Sequence, residues 1–117
     1  MRSLFCFLFV VAFLSCSKDE MVEPFVPEAC GDTVSYNQEI VPEIIDKSCN
    51  VTGCHDATAA GGRELTSHFL VSQNTDPLYR VMAHEEGWVA MPVGQERLAD
   101  SLLQKCYCWI QQGRLEN

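Results

Sequence analysis

The sequence has few basic residues, no long apolar run and no strand-like alternation. Its 8 lysines and arginines face 16 aspartates and glutamates, so the formal net charge of the 117 residues is −8. We do not expect a nucleic-acid partner, because phosphate binding needs clustered basic side chains. An acidic surface is best explained by solubility, and the second explanation is binding to a basic protein partner. The main apolar run, residues 4–14, is shorter than the ~20 residues of a membrane-spanning helix.

What is present favours one small all-α domain with long loops. The apolar content of 47% is too high for a disordered chain. Apolar spacing predicts a helix from about Asn37 to Cys49 and another over residues 63–72. Asp76-Pro77 resembles a helix N-cap followed by proline at the first helical position. The last helix is predicted over residues 95–112, with Gly113 as its C-terminal stop.

The N-terminal residues have the pattern of an export signal. Arg2 precedes the apolar run, as in secretory signal peptides. Ser15-Cys16 then resembles the bacterial lipobox, in which the cysteine becomes the lipid-modified first residue. We therefore expect a lipoprotein signal peptide at 1–15, a tether at 16–34 with lipidated Cys16, and a folded domain at 35–117. This implies an extracytoplasmic protein that is lipid-anchored to a bacterial membrane, facing the periplasm or the cell surface.

The seven cysteines of this short chain need a chemical role. Cys49 and Cys54 are separated by four residues, and His55 follows at once. Two thiols followed by histidine suit covalent haem attachment, for which the usual spacing is C-x-x-C-H. Here two extra residues must bulge outward, which Gly53 makes easier. By spacing alone the same cysteines also suit disulfides, or a zinc site completed by Cys106 or Cys108.

Several motifs occur in an order that resembles the small class I cytochromes c, specifically the single-haem domains of bacterial lipoproteins and planctomycete-type cytochromes. The resemblance covers residues 35–117 and is carried by Tyr36-Asn37-Gln38-Glu39-Ile40-Val41-Pro42, Cys49…Cys54-His55, Gly62-Arg63-Glu64-Leu65, Met91-Pro92 and Trp109-Ile110-Gln111-Gln112-Gly113. It implies a cytochrome c-like small helical domain whose long loops wrap around one covalent haem. The first and last helices would then cross beside the haem.

The resemblance also implies roles for individual residues. Cys49 and Cys54 would form the haem thioethers, His55 would be the proximal iron ligand and Met91 the distal ligand. His84 is the next distal candidate, ahead of Met82 and His68. With both axial positions filled, the protein would carry electrons to a membrane-associated redox protein and would not be an enzyme. The alternatives are a haem-based sensor, or a surface lipoprotein stabilised by disulfides or zinc without a redox role.

Three cysteines remain as disulfide candidates: Cys30, Cys106 and Cys108. Cys106 and Cys108 lie two positions apart on the last predicted helix and point to different sides, so they should not pair with each other. We expect Cys30 to pair with one of them. Cys108 is favoured, because Cys106 lies on the apolar stripe of the helix and Cys108 lies off it.

Overall fold

The computed structural model describes residues 23–117, which form four helices joined by long loops, with no strand among them. The helices are α1 (Tyr36–Cys49), α2 (His68–Gln73), α3 (Thr75–Met82) and α4 (Asp100–Gln111). The predicted all-α class is therefore confirmed for this part of the chain. The predicted signal peptide and Cys16 lie outside the described residues. Within residues 23–117, none of the helices combines the length and the apolar character that crossing a bilayer requires.

Helix α1 agrees with its predicted bounds but is wound more widely than an α-helix. The Ile40 N–H donates to the Ser35 carbonyl at 3.2 Å and the Asn50 N–H to the Ile45 carbonyl at 2.7 Å, both across five residues. In such a π-helical turn, residues four and five positions apart lie on the same side. Ile40, Ile44 and Ile45 are accordingly all buried. The Ser35 side chain caps the helix by accepting from the Gln38 N–H.

Helix α4 packs against α1 and supplies the centre of the core. Trp109 is fully buried, stacks on Tyr36 with ring centroids 5.3 Å apart, and donates from Nε1 to the Leu115 carbonyl at 2.9 Å. The helix begins at Asp100, five residues later than predicted. Gly113, at φ +95°, follows the C-cap and ends it as expected. Leu103 of this helix is fully buried.

The segment before α1 is bound along α4 by a disulfide and two glutamines. Cys30 is paired with Cys108, with their Cα atoms 5.4 Å apart. Gln104 accepts from the Glu28 N–H and donates to the Glu28 carbonyl. Gln112 likewise accepts from the Val34 N–H and donates to the Asp32 carbonyl. This extended segment is therefore ordered by side-chain amides that satisfy its backbone in place of a strand partner.

The two short middle helices begin at other residues than the sequence pattern indicated. Helix α2 begins at His68 and not at residue 63, with Ser67 as its N-cap. Helix α3 is preceded by Asn74, so that Asp76 lies in the first turn and is not the cap. The residues between Cys49 and His68 consequently form a loop, which is the part of the chain that builds the site described next.

Candidate functional site

A mostly apolar cavity lies between the loop after α1, helix α3 and the segment around Met91. Its volume is about 120 Å³. His55 and Met91, which are far apart in sequence, both line it. The remaining lining residues are Gly61, Arg63, Leu65, Asn74, Pro77, Leu78 and Val81. The structure therefore brings the two predicted axial ligands, one imidazole and one thioether, to the same cavity.

The His55 ring is held by a backbone carbonyl. Its Nδ1 lies 2.8 Å from the Arg63 carbonyl oxygen. Because a carbonyl can only accept, Nδ1 must carry the hydrogen, and in the neutral ring Nε2 then keeps its lone pair. This arrangement is the usual way in which proteins fix the tautomer and orientation of a metal-binding histidine. His55 is thereby prepared to donate from Nε2 to a metal ion.

The loop from Cys49 to Leu65 folds back on itself around His55. Gly53, at φ +81°, allows a tight turn that the Cys54 N–H closes on the Val51 carbonyl at 3.0 Å. The His55 N–H donates to the Cys49 carbonyl at 3.2 Å, and the Leu65 N–H donates to the His55 carbonyl at 2.9 Å. The extra residues between the cysteines thus form an exposed turn, and His55 is held between two backbone contacts.

Asp56 organises the next part of this loop. One of its carboxylate oxygens accepts from the Gly53 N–H at 3.1 Å, and the other from the N–H and the hydroxyl of Thr58. These bonds, the Thr58 hydroxyl first, hold the pKa of the Asp56 carboxyl below its usual value. Asp56 is therefore a charged cap for the turn that follows His55.

The two predicted attachment cysteines are unpaired thiols at either end of the turn. Cys49 is buried at the end of α1, whereas Cys54 is exposed. Burial, and next the nearby Cys54, raises the pKa of Cys49 to about 12, so this thiol is neutral at pH 7. Neither side chain lines the cavity. Among residues 23–117, Cys106 is also an unpaired thiol, which is buried in the core, and burial raises its pKa to about 12 as well.

The other predicted distal ligands lie elsewhere. Met82 is 1% exposed in the core. His68 contacts Tyr36 edge-on, with ring centroids 4.7 Å apart, and its Nε2 lies 2.7 Å from the Arg114 carbonyl oxygen. His84 lines a different, acidic cleft, and its ring contacts the backbone carbonyl of Met91. Of the four candidates, Met91 is thus the one that shares a cavity with His55.

The zinc alternative would need Cys49, Cys54 and His55 together with Cys106 or Cys108. Cys108 is already in the disulfide with Cys30. In the described part of the chain, no group of three or more histidine, cysteine, aspartate or glutamate side chains is arranged to hold a metal ion. The structure does not gather these four ligands at one point.

Sequence reasoning missed two residues that shape the site. Arg63 contributes its carbonyl, which no side-chain pattern can reveal. A Cβ atom added to Gly61 would lie 2.7 Å from the Cys54 carbonyl oxygen and 3.1 Å from Cε1 of His55. The position of Gly61 directly before Gly62 is the one signal that could have indicated a close backbone approach.

Comparison with family models, with curated proteins and with solved structures finds no match to this chain.

Proposed function

We propose that this protein is a c-type cytochrome that transfers electrons through one covalently attached haem with His55 and Met91 as axial ligands. The observation that carries the proposal is the shared cavity of these two side chains, together with the hydrogen bond that leaves Nε2 of His55 as the lone-pair nitrogen. An imidazole and a thioether are a known axial pair of electron-transfer haems.

The donor set of the chain fits such a group, and the loops around the cavity of about 120 Å³ would have to move apart to admit it, because pockets for ligands of this size are typically about 300–1,000 Å³. Cys30 and Cys108 are paired with each other, which leaves the thiols of Cys49 and Cys54 available for two thioether bonds. Because Cys49 is buried, the turn between the two cysteines has to open before its thiol can react. The bound haem would supply a reversible one-electron change of its iron.

The protein's own residues would hold, shield and orient that group. The Arg63 carbonyl orients His55, and the hydrogen bond from the Met91 N–H to the Val81 carbonyl, at 3.0 Å, holds the distal segment. Leu65, Leu78 and Val81 give the cavity an apolar wall. With two protein ligands in place, no axial position is open to a substrate or a gas. This supports an electron carrier in preference to an enzyme or a sensor.

The proposed cellular setting follows from the N-terminal sequence. A lipid on Cys16 would hold the domain at a bacterial membrane outside the cytoplasm. The chain between Cys16 and Glu28, where the segment bound along α4 begins, would let it reach a membrane-associated redox protein. The net charge of −8 favours a partner with a basic contact surface.

The deciding experiment is to export the full chain together with a c-type haem-attachment system. We expect a stoichiometry of one iron, a pyridine haemochrome spectrum typical of thioether-linked haem, and a reversible reduction. The Cys49→Ser/Cys54→Ser double variant should lose covalently bound haem, whereas Cys106→Ser should keep it. A colourless wild-type protein, or one that contains zinc and no iron, would refute the proposal.

A further inference from the structure

Both backbone polar groups of Met91, its N–H and its carbonyl, form hydrogen bonds. Its N–H donates to the Val81 carbonyl at 3.0 Å, and its own carbonyl lies 3.1 Å from Nε2 of His84. The Val81 carbonyl also accepts from the His84 N–H at 3.3 Å. The two ends of the loop from His84 to Met91 are therefore held together by the Val81 carbonyl and by the His84 imidazole.

The backbone of His84 adopts a conformation that side chains other than glycine rarely take. Its φ is +52°, in the left-handed region. Such a conformation is strained and persists only where surrounding contacts enforce it. At this position the chain turns sharply after α3. The turn brings the imidazole within hydrogen-bond distance of the Met91 carbonyl seven residues later.

The chemistry of the contact assigns the ring a supporting role. A carbonyl oxygen only accepts, so Nε2 of His84 carries the hydrogen and cannot at the same time donate a lone pair to a metal. The ring lines the cleft that contains Glu85, Glu86 and Arg97, not the cavity of His55. The ring thus contacts the backbone of the distal ligand and lies outside the cavity.

We propose that His84 is a positioning residue that fixes Met91 as the distal ligand through the hydrogen bond from Nε2 to the Met91 carbonyl. This inference rests on the proposed haem-binding function and deepens it. The bond restrains the segment that presents the thioether. Without it, Met91 would leave the iron more readily, and an external ligand would compete with it more effectively.

The test uses the haem-loaded holoprotein in its ferric form. His84→Gly removes the donor and also relieves the left-handed backbone, so it should not fail to fold because of strain. His84→Gln restores an amide donor of similar reach. Val89→Ala, at an exposed residue of the same loop, is the control. The readouts are the charge-transfer band of iron–methionine sulfur ligation and the affinity for added imidazole.

We expect His84→Gly to bind imidazole about tenfold more tightly than the wild type, which corresponds to about 1.4 kcal/mol, and to weaken the sulfur band. His84→Gln should recover most of the wild-type affinity, and Val89→Ala should match the wild type. Unchanged imidazole affinity and an unchanged sulfur band in His84→Gly would overturn the inference.

A Met91→Ala variant separates positioning from ligation. If His84 positions Met91, Met91→Ala should lose the sulfur band and open the sixth coordination position. If Met91→Ala keeps the wild-type spectrum while His84→Gly loses it, His84 is itself the ligand and the inference is wrong. A wild-type protein without haem would instead refute the proposed function, so that the two failures are distinguishable.

Discussion

Gly61 is the residue at which the site has least space for a side chain. The backbone of Cys54 and the ring of His55 lie so close that an added Cβ would be 2.7 Å from a carbonyl oxygen. Gly61→Ala should therefore push the loop away from His55. We expect a loss of about 1–3 kcal/mol in the free energy of unfolding and a lower yield of covalently bound haem. Chemical denaturation and haem content per protein measure the two effects.

Gly31→Ala is the matched control for this substitution. Gly31 has no atom within 4 Å of an added Cβ and no left-handed φ. Its replacement should change stability by less than about 0.5 kcal/mol. If Gly61→Ala proved as harmless as Gly31→Ala, the close approach of residues 54 and 61 would not be a constraint on the site.

Among the elements, α1 is joined to α4 by Glu39 and Glu43, which both contact Lys105, and Glu39 also contacts the segment before α1. Glu39 accepts from the Ser35 N–H at 2.9 Å and lies 3.2 Å from Nζ of Lys105. The backbone bond from Ser35, and next the bond to Lys105, lowers the pKa of Glu39. Because the pKa of Glu39 is lower in the folded than in the unfolded protein, its ionisation stabilises the native state at pH values above the unfolded-state pKa. That stabilisation is lost as the pH falls through the folded pKa.

The resulting prediction concerns how the free energy of unfolding changes as the pH falls from 7 to 3. Glu39→Gln should lower the free energy of unfolding at pH 7 by less than about 1 kcal/mol, because the pair is partly exposed. The difference from wild type should shrink as the pH falls below the ordinary glutamate value of 4.5. Urea denaturation between pH 3 and pH 7 checks this, with Glu96→Gln, an exposed loop substitution, as the control. A constant difference across this range would contradict it.

The Cys30–Cys108 disulfide joins the N-terminal segment to α4 across 78 residues. Closing so long a loop restricts the unfolded chain, which typically stabilises a fold by about 2–4 kcal/mol. We expect Cys30→Ser/Cys108→Ser to lose that amount in denaturant titrations. The single variant Cys30→Ser should lose a similar amount, since either change removes the same bond. A loss below about 0.5 kcal/mol would show that Gln104 and Gln112 hold the segment without the disulfide.

The sequence pattern predicted the helices, because their hydrogen bonds join residues that are close together in the sequence. Helix α1 was foreseen because its isoleucines recur along one side. Helix α4 was foreseen from its apolar spacing, but not its start, since the Leu98 N–H reaches the Met82 carbonyl at 3.4 Å and keeps that segment out of the helix. Residues 63–67 failed to be helical for the same kind of reason. Arg63 and Leu65 form hydrogen bonds with His55, and such distant contacts leave no periodicity.

At the scale of the whole molecule, the site and the core are stabilised by different means. Helices α1 and α4 are packed through fully buried side chains such as Ile44, Leu103 and Trp109. The cavity is instead lined by the loop after α1, by α3 and by the segment around Met91, and each of the two loop segments is held by isolated backbone hydrogen bonds. Segments with few buried contacts open at lower free energy than a packed core does. If the protein binds haem as proposed, we expect the core to fold without it and the site to become rigid only with it.

Amide hydrogen exchange tests this division. In the Cys49→Ser/Cys54→Ser protein, which cannot attach haem, the amides of Leu65 and Met91 should exchange at least tenfold faster than in the holoprotein. Amides in the middle of α1 and α4 should stay slow in both, because the packing of Trp109 and the Cys30–Cys108 disulfide are unchanged. Thiol titration confirms that the disulfide is intact in the two samples. If all amides accelerated equally, the haem would stabilise the whole fold. If neither Leu65 nor Met91 responded, the cavity would not be where the haem binds.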